Sequence, residues 1–237
     1  MLKKWVEINE KTWRNSEELL WAQIWNDTKK GIEWINGLSG LTPGRAAVGY
    51  NYLYVMSRIL NEMKPTNVLD IGLGVSSTLI SGYYIWAGAL GEHTIIEHDK
   101  CWADFYTRSH KLSSSSKIRI LEMIKKVSKG CSYNAYKDFS ETITGHKYSI
   151  ISIDGPIGWD MPYKCSRRDV LDIIPQSLFD SFIIIMDDYN RRGERDTVND
   201  IERILDGCSI DYYKGIYNGL SDCCVIASAD NKYFCTL

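Results

Sequence analysis

Short apolar runs alternate with helix-length segments along the chain after Pro65, and this alternation constrains the fold more than any other feature. Five runs have the length and composition of buried strands: 67–71, 93–97, 118–123, 148–153 and 182–186. The segments that separate or follow them show helical spacing: 76–86, 101–112, 132–144, 167–178 and 194–205. Repeated strand–helix units predict a parallel sheet with helices on both faces.

The C-terminal end of the chain follows a different pattern. Segments 209–217 and 222–228 read as strands and are separated only by a short turn region that contains Asn218 and Gly219. This connection is too short for a parallel crossover, so it predicts an antiparallel hairpin. The predicted fold class is therefore α/β, with a Rossmann-like, doubly wound sheet of seven strands that is mainly parallel and has an antiparallel C-terminal hairpin.

Residues 5–37 and 46–63 show helical spacing, and glycines together with Pro43 interrupt the pattern between them. Neither segment is long enough to be a domain, so residues 1–64 are interpreted as an N-terminal helical extension of the domain formed by residues 65–237. Five of the eight tryptophans precede residue 35. The Trp-rich helix is a candidate to pack on the domain, to close a ligand site or to form a homodimer contact. Residues 42–45 and 50–54 are candidates for a lid over such a site. The alternative is that Tyr50 and Tyr54 are core residues at helical spacing and that Arg45 lies on a solvated face.

Composition narrows the range of partners and locations. A chain of 237 residues with 44% hydrophobic residues and a formal charge of −2 is expected to form one globular domain without an attractive field for nucleic acid. No run of about 18 apolar residues occurs, and the start of the chain lacks the apolar stretch of a signal peptide. The seven cysteines are scattered without a C-x-x-C pair. We therefore expect a cytoplasmic protein that does not associate with membranes.

The first predicted strand runs into a glycine-containing loop, Asp70-Ile-Gly-Leu-Gly-Val-Ser-Ser77. Gly72 and Gly74 lack Cβ atoms, so the chain can turn tightly and its backbone can approach a ligand. Ser76 or Ser77 can cap the helix that follows. In open parallel sheets ligands bind at the carboxyl ends of the strands, and this loop is predicted to lie there.

The second predicted strand ends in Glu97-His98-Asp99. An acidic group at this point is placed to accept hydrogen bonds from the two ribose hydroxyls of a nucleoside, with Glu97 as the first candidate and Asp99 as the second. His98 is a candidate for lining the same site. A dinucleotide motif would have a third glycine where Ser77 stands, and the Asp70 carboxylate suits the ammonium group of a methionyl moiety better than a pyrophosphate.

The loop resembles the first motif of class I S-adenosylmethionine-dependent methyltransferases, in which an acidic residue precedes the glycines. By pattern the resemblance covers residues 67–228, including the C-terminal hairpin, which simple dinucleotide-binding domains usually lack. It implies S-adenosylmethionine as the cofactor, held by the loop and by Glu97. A glycine turn without any ligand is the structural alternative.

Two further predicted strands end in carboxylates, at Asp154 and at Asp187-Asp188. In a parallel sheet these three side chains converge on the edge that carries the cofactor loop. An all-oxygen set of this kind favours magnesium, manganese or calcium, and either a cation or a carboxylate base would activate a hydroxyl for methyl transfer. Asp154 is also a candidate cofactor contact. The alternative is that Asp154 and Asp188 cap loops or pair with Arg191 and Arg192.

The three aspartates resemble the metal-binding residues of cation-dependent O-methyltransferases of the catechol type, although Ile157-Gly158 stands where that family has a catalytic lysine. The segments Asp154-Gly-Pro-Ile-Gly158, Arg167 or Arg168, and Asp187-Asp-Tyr-Asn-Arg191 resemble glucuronoxylan O-methyltransferases, which act on a sugar hydroxyl. Asp154, Asp188 and Arg167 are accordingly the candidate catalytic residues.

The loop at 155–168 contains aromatic and basic residues, Trp159, Tyr163, Arg167 and Arg168 among them. Aromatic rings stack on sugar faces and arginines bind carboxylates, so an acidic sugar or glycan is a consistent acceptor, as is another small molecule. The sequence predicts an S-adenosylmethionine-dependent O-methyltransferase. The alternatives are an NAD(P)-dependent oxidoreductase or epimerase and a non-catalytic binding module.

Overall fold

The computed structural model describes residues 2–43, 47–88, 91–128, 130–158 and 165–236, with side chains from residue 7 onward. The described strands are β1 (Val68–Ile71), β2 (His93–Glu97), β3 (Ser116–Ile120), β4 (Met123–Ser128), β5 (Cys131–Tyr136), β6 (Tyr148–Ile153), β7 (Leu178–Met186), β8 (Tyr212–Tyr217) and β9 (Cys223–Ser228). Seven of them form one sheet in the order β3-β2-β1-β6-β7-β9-β8. The first five of that order are parallel, and β9 is antiparallel to both β7 and β8. The prediction of a seven-stranded, mainly parallel sheet with a C-terminal antiparallel hairpin is confirmed.

The described helices are α1 (Leu2–Gly31), α2 (Glu33–Asn36), α3 (Tyr50–Met63), α4 (Val75–Ala87), α5 (Lys100–Ser109), α6 (Phe139–Ile143) and α7 (Arg192–Gly207). Two 3₁₀ helices span Arg168–Asp172 and Ala229–Cys235. Within the described ranges, no helix combines the length and the apolar character needed to cross a membrane.

Successive residues of a strand point to opposite faces of the sheet, and here both faces are covered by apolar side chains. Ile150 of β6 packs in a cluster with Trp25 of α1 and Tyr52 of α3. Its neighbour Ile151 packs on the other side with Phe139 of α6 and other apolar side chains. The N-terminal helices therefore share a core with the sheet.

One predicted helix is wrong in its first half. Residues 132–136 of the predicted helix 132–144 belong to β5, which pairs antiparallel with β4 in a separate two-stranded sheet. Gly130 adopts a left-handed conformation (φ 74°) in the connection, which suits glycine and favours a hairpin. Only α6 remains of the helix, and the predicted strand 118–123 ends at Ile120.

The predicted helix 167–178 is also wrong. The chain forms the short 3₁₀ helix Arg168–Asp172, then turns, and enters β7 at Leu178. Pro175 has no amide hydrogen to donate and restricts the residue before it, so the helical spacing of the apolar residues could not extend into a helix.

Candidate active site

The loop after β1 is built around Asp70, which is completely buried. Its Oδ2 accepts a hydrogen bond from Ser77 Oγ at 2.5 Å, and its Oδ1 accepts one from Ser152 Oγ of β6 at 2.7 Å. Ser76 Oγ lies 3.3 and 3.4 Å from the two carboxylate oxygens. Asp70 therefore ties the loop and the start of α4 to the neighbouring strand. A direct contact between Asp70 and an ammonium group stays a prediction. The side chain of Asp70 is fully buried and already accepts hydrogen bonds from three hydroxyls.

The two loop glycines have different local roles. Gly72 has a positive φ of 110°, and a Cβ there would lie 3.1 Å from the Asp154 carbonyl group. The turn after β1 therefore packs directly on the turn after β6. A Cβ at Gly74 would meet nothing within 4 Å, and its backbone N–H donates to Ser77 Oγ at 3.1 Å. The loop thus leaves open space beside the N-terminus of α4, where a ligand could approach the backbone.

Glu97, at the end of β2, lies against this loop. Its Oε2 accepts from the backbone N–H of Leu73 at 3.2 Å, and its Oε1 accepts from those of His98 and Asp99 at 2.6 and 2.8 Å. His98 Nδ1 lies 2.8 Å from the same Oε1. Burial raises the pKa of Glu97, but His98 and the backbone donors outweigh it and bring this pKa below its ordinary value. The contact with Glu97 also raises the pKa of His98.

Asp99, the second candidate ribose ligand, has a different position. Its Oδ1 accepts from the backbone N–H of Trp102 at 3.0 Å and so caps α5. The indole Nε1 of Trp102 in turn donates to the carbonyl oxygen of Leu73 at 2.8 Å, which connects α5 to the loop after β1. Sequence reasoning did not single out Trp102, because an aromatic residue near a helix start carries no local signal of such a contact.

The three predicted carboxylates do converge. Asp154, Asp187 and Asp188 follow β6 and β7, and one oxygen from each lies within 4.8 Å of the others. Asp188 has a left-handed backbone (φ 59°), and Ser221 Oγ donates to its Oδ1 at 2.8 Å. Asp187 is 3% exposed, and its Oδ1 has no hydrogen-bond partner among the described residues.

Arg167 lies inside this cluster. Its guanidinium is almost fully buried, and Nη2 donates to Asp154 Oδ1 at 3.0 Å and to Asp188 Oδ2 at 2.7 Å. Nη1 donates to the carbonyl oxygens of Asp187 at 2.9 Å and of Ile153 at 3.4 Å. One side chain therefore joins the ends of both strands and offsets the charge of two carboxylates.

The charges in the cluster perturb one another strongly. Burial raises the pKa of Asp154 to about 7, with Arg167 opposing the rise and Asp188 adding to it. The pKa of Asp187 is raised well above its ordinary value by burial and by the neighbouring carboxylates of Asp154 and Asp188. A carboxyl group with a pKa near neutrality is suited to accepting a proton at physiological pH.

Two further charged residues complete the cluster. Arg191 Nη1 lies 2.6 Å from Asp188 Oδ2, on the more exposed side. Glu194, near the start of α7, is buried, and its Oε1 lies 3.8 Å from both Arg167 Nε and Arg191 Nη1. The pairing of Asp188 with Arg191 agrees with the alternative considered from the sequence. Glu194 was missed, because its position in an amphipathic helix gives no sign that it faces the site.

Arg168, the alternative to Arg167 in the sequence, contacts α7 rather than the cluster of Asp154, Asp187 and Asp188. It donates to Asp200 Oδ2 at 2.5 Å. Arg45, Trp159 and Tyr163 lie outside the described residues.

The donor chemistry of the cluster decides whether it fits a divalent cation. Its donors are carboxylate oxygens, which suit magnesium or calcium, and the buried Oδ1 of Asp187 is available. However, Arg167 Nη2 already donates to both Asp154 Oδ1 and Asp188 Oδ2 and so bridges the two carboxylates. In this arrangement the residues do not fit a divalent cation.

The comparison with solved structures bears on the fold. No family model matches the sequence, and no curated protein matches it. The O-methyltransferase TomG from Streptomyces achromogenes, solved with S-adenosylmethionine, matches with a TM-score of 0.55 and 10% identity over 93% of this chain and 99% of that chain. Cofactor-bound Rv0187 from MTB matches at 0.53 and 11% identity over 79% and 84% of the two chains. The precorrin-6y C5,15-methyltransferase from Geobacter metallireducens GS-15 matches at 0.51 and 11% identity over 81% and 94%.

At these identities the similarity shows the fold, and it agrees with the strand order and the hairpin described above. The loop after β1 and the acidic end of β2 lie at the carboxyl edge of the sheet, the edge at which ligands bind in open parallel sheets. The chain has the Rossmann-like fold of class I S-adenosylmethionine-dependent methyltransferases.

Proposed function

We propose that this chain transfers the methyl group of S-adenosylmethionine to a hydroxyl oxygen of a small-molecule or saccharide acceptor. The observation that carries the proposal is the arrangement at one sheet edge: a glycine loop opens beside α4, Glu97 closes its side, and Asp154 stands one strand away. A nucleoside site and a proton acceptor are therefore neighbours.

The cofactor side of the proposal rests on the loop and on Glu97. The backbone at Gly72 and Gly74 is partly exposed, so it can contact the cofactor closely. Glu97 is held ionised, and each carboxylate oxygen can accept more than one hydrogen bond, so it can receive the ribose hydroxyls. Asp70, Ser76 and Ser77 act mainly by fixing the shape of the loop. Bound S-adenosylmethionine supplies an electrophilic methyl group on a sulfonium centre.

The acceptor side rests on Asp154. Its Oδ1 is held by Arg167, and its Oδ2 forms no hydrogen bond with the described residues. This Oδ2 can accept the proton of an acceptor hydroxyl as the oxygen becomes nucleophilic, and a pKa of about 7 leaves an ionised fraction at neutral pH. The side chain of Asp154 is partly exposed, which allows the acceptor to reach it.

The acidic-sugar form of the proposal rests on a charge beside Asp188. Arg191, whose Nη1 lies 2.6 Å from Asp188 Oδ2, keeps 31% of its side chain accessible to solvent. Guanidinium groups bind carboxylates through paired hydrogen bonds, so a uronic acid or a similar acceptor would meet complementary charge. The resemblances of the solved structures leave the acceptor atom open, since they include both an O-methyltransferase and a C5,15-methyltransferase.

Calorimetric titration tests the cofactor proposal directly. We expect S-adenosylhomocysteine to bind with a stoichiometry near one and NADH not to bind. Glu97→Gln should weaken binding at least tenfold, whereas Glu141→Gln, on the exposed face of α6, should leave it unchanged. Binding of NADH alone would support an oxidoreductase, and binding of neither would support a non-catalytic module.

An acceptor screen with a methyl-labelled donor tests the second half of the proposal. Neutral sugars, uronic acids and small phenols are compared at equal concentration. The acidic-sugar form would be supported if Arg191→Gln loses transfer to a uronic acid but retains transfer to neutral acceptors. Label transfer only to carbon or nitrogen acceptors would contradict hydroxyl methylation.

A further inference from the structure

We infer that the Arg167 guanidinium is the resident cation of the Asp154–Asp187–Asp188 cluster and takes the place that a divalent metal ion would occupy. The inference concerns the cluster of the proposed active site, so its catalytic consequence rests on the proposed function. The metal-binding prediction does not, because it can be measured without any methyl transfer.

The geometry of Arg167 Nη2 is that of a bridging cation. A single nitrogen contacts Asp154 Oδ1 at 3.0 Å and Asp188 Oδ2 at 2.7 Å, so it lies between the two carboxylates. Nη1 of the same group donates to the carbonyl oxygens at the ends of β6 and β7. The positive charge is thus placed between the strands, with its direction fixed by four acceptors.

A divalent cation could not share this position. Magnesium requires about six oxygen ligands near 2.1 Å and calcium six to eight at slightly longer distances. Two of the three carboxylates already direct their converging oxygens at Arg167. A second cation a few ångströms from a buried guanidinium would also be repelled by it, because the site has little solvent to screen the two charges.

The surroundings keep Arg167 in place. Its neighbour Ser166 is packed so closely that a Cβ on Gly158 would lie 2.2 Å from Ser166 Oγ, and one on Gly193 would lie 3.0 Å from Ser166 Cβ. Buried Glu194 lies 3.8 Å from Arg167 Nε, and displacement of the guanidinium would remove a counter-charge from it. Replacement of the Arg167 guanidinium by a metal ion would therefore require the side chains around Ser166 to repack. It would also leave the buried Glu194 carboxylate with less compensating positive charge.

The consequence for catalysis is that the positive charge of Arg167 is covalently attached and cannot dissociate as a bound metal ion can. Arg167 holds Oδ1 of Asp154 and leaves Oδ2 without a hydrogen-bond partner among the described residues, so it orients the base without itself removing a proton. Methyl transfer should then be insensitive to chelators. If the three aspartates instead held magnesium, manganese or calcium, as predicted from the sequence, chelators should abolish methyl transfer.

The experiment is a calorimetric titration of the full chain with Mg²⁺, Mn²⁺ and Ca²⁺ separately. For the native sequence we expect no site tighter than millimolar. Arg167→Met keeps the length of the side chain but removes its charge, and it should create a site at least tenfold tighter for one or more of these ions. Adding Asp187→Asn to that variant should abolish the gain. Arg191→Met is the matched control, since it removes a charge beside Asp188 but leaves Arg167 in the cluster, and it should gain nothing.

Two results would overturn the inference. One is a stoichiometric cation site in the native chain that Asp187→Asn removes, and the other is no gain in folded Arg167→Met. If circular dichroism shows that Arg167→Met does not fold, the test uses the native chain and Arg167→Lys. Neither should bind the metal ions, because a lysine ammonium should also exclude them, and a stoichiometric site in either would overturn the inference. Titration with S-adenosylhomocysteine in the same samples separates this question from the proposed function: failure of cofactor binding refutes the latter whatever the metal does.

Discussion

Replacement of Ser152 by alanine is a sharp test of the buried network behind the cofactor loop. Ser152 is completely buried in β6, and its hydroxyl donates to Asp70 Oδ1 at 2.7 Å. The Tyr52 hydroxyl lies 2.5 Å from Ser152 Oγ. Because Ser152 has one proton and gives it to the carboxylate, Tyr52 must be the donor in the second bond. The serine therefore links α3 to the loop through two sheet strands.

The expected cost follows from these two bonds. Loss of a hydrogen bond to a charged group costs about 1.5–3 kcal/mol, and a buried hydroxyl left without a partner costs about 1–3 kcal/mol. Ser152→Ala should therefore lower the free energy of unfolding by about 3 kcal/mol. For a chain of this size that corresponds to a fall in Tm of about 6–12 °C. Ser57→Ala is the control, since the buried Ser57 hydroxyl bonds only within its own helix, to the Tyr54 carbonyl.

A double-mutant cycle with Tyr52→Phe, followed by urea unfolding, checks the assignment. Tyr52→Phe alone should cost about 1 kcal/mol. The double variant should cost less than the sum by about 1 kcal/mol or more, because the hydroxyl that Ser152→Ala leaves without a partner is then absent. Additive costs, or a loss below about 1 kcal/mol in Ser152→Ala, would refute the proposed network.

Three other perturbations test separate parts of the structure. Glu97 raises the pKa of His98, so their pair stabilises the native state fully below the ordinary histidine pKa and loses this contribution as pH rises through the raised value. His98→Gln should remove that pH dependence from thermal melts, and an unchanged dependence would contradict the pairing. Asp154→Asn should lower kcat at least about 100-fold while S-adenosylhomocysteine affinity changes less than threefold, and unchanged turnover would exclude Asp154 as the base. Arg14→Met removes a 2.8 Å ion pair with Asp222 and a hydrogen bond to the Gly219 carbonyl, which join α1 to the turn after β8. Because the two side chains are only 18% and 10% exposed, urea unfolding should show a loss of about 1.5–3 kcal/mol. A loss below about 0.5 kcal/mol would mean that α1 does not depend on this contact.

The sequence was sufficient for features that depend on strand order alone. Once the strands are parallel, residues that follow them meet at one edge, so Glu97, Asp154 and Asp188 could be assigned to a common site from their positions. The hairpin β8–β9 followed from a connection too short for a crossover. Both inferences use chain length and direction, which tertiary packing cannot change.

Features that depend on packing across the fold could not be predicted in this way. The left-handed backbone of Arg167 (φ 53°) helps to place its side chain among the aspartates, and a non-glycine residue gives no sequence sign of that conformation. Sequence reasoning placed Arg167 on the acceptor side for its charge but did not foresee that it bridges Asp154 and Asp188. The hairpin β4–β5 was missed because helical spacing in 132–144 competed with strand pairing that only the fold can decide.

Two carboxylates at the same sheet edge have pKa values displaced in opposite directions, and this difference supports the roles proposed for them. Glu97 receives backbone N–H groups and His98, so its pKa lies below the ordinary value and it remains an acceptor for hydroxyl donors at neutral pH. Asp154 is desolvated and lies among other acids, and its pKa of about 7 persists although Arg167 opposes the rise. If the two environments were exchanged, Asp154 would be too weak a base to accept a proton at neutral pH. Glu97 would then be about half protonated and a poorer acceptor for ribose hydroxyls. Separation of the pKa values of two acids is a common way for one site to combine binding with proton transfer, and here β1 and the loop that follows it lie between them.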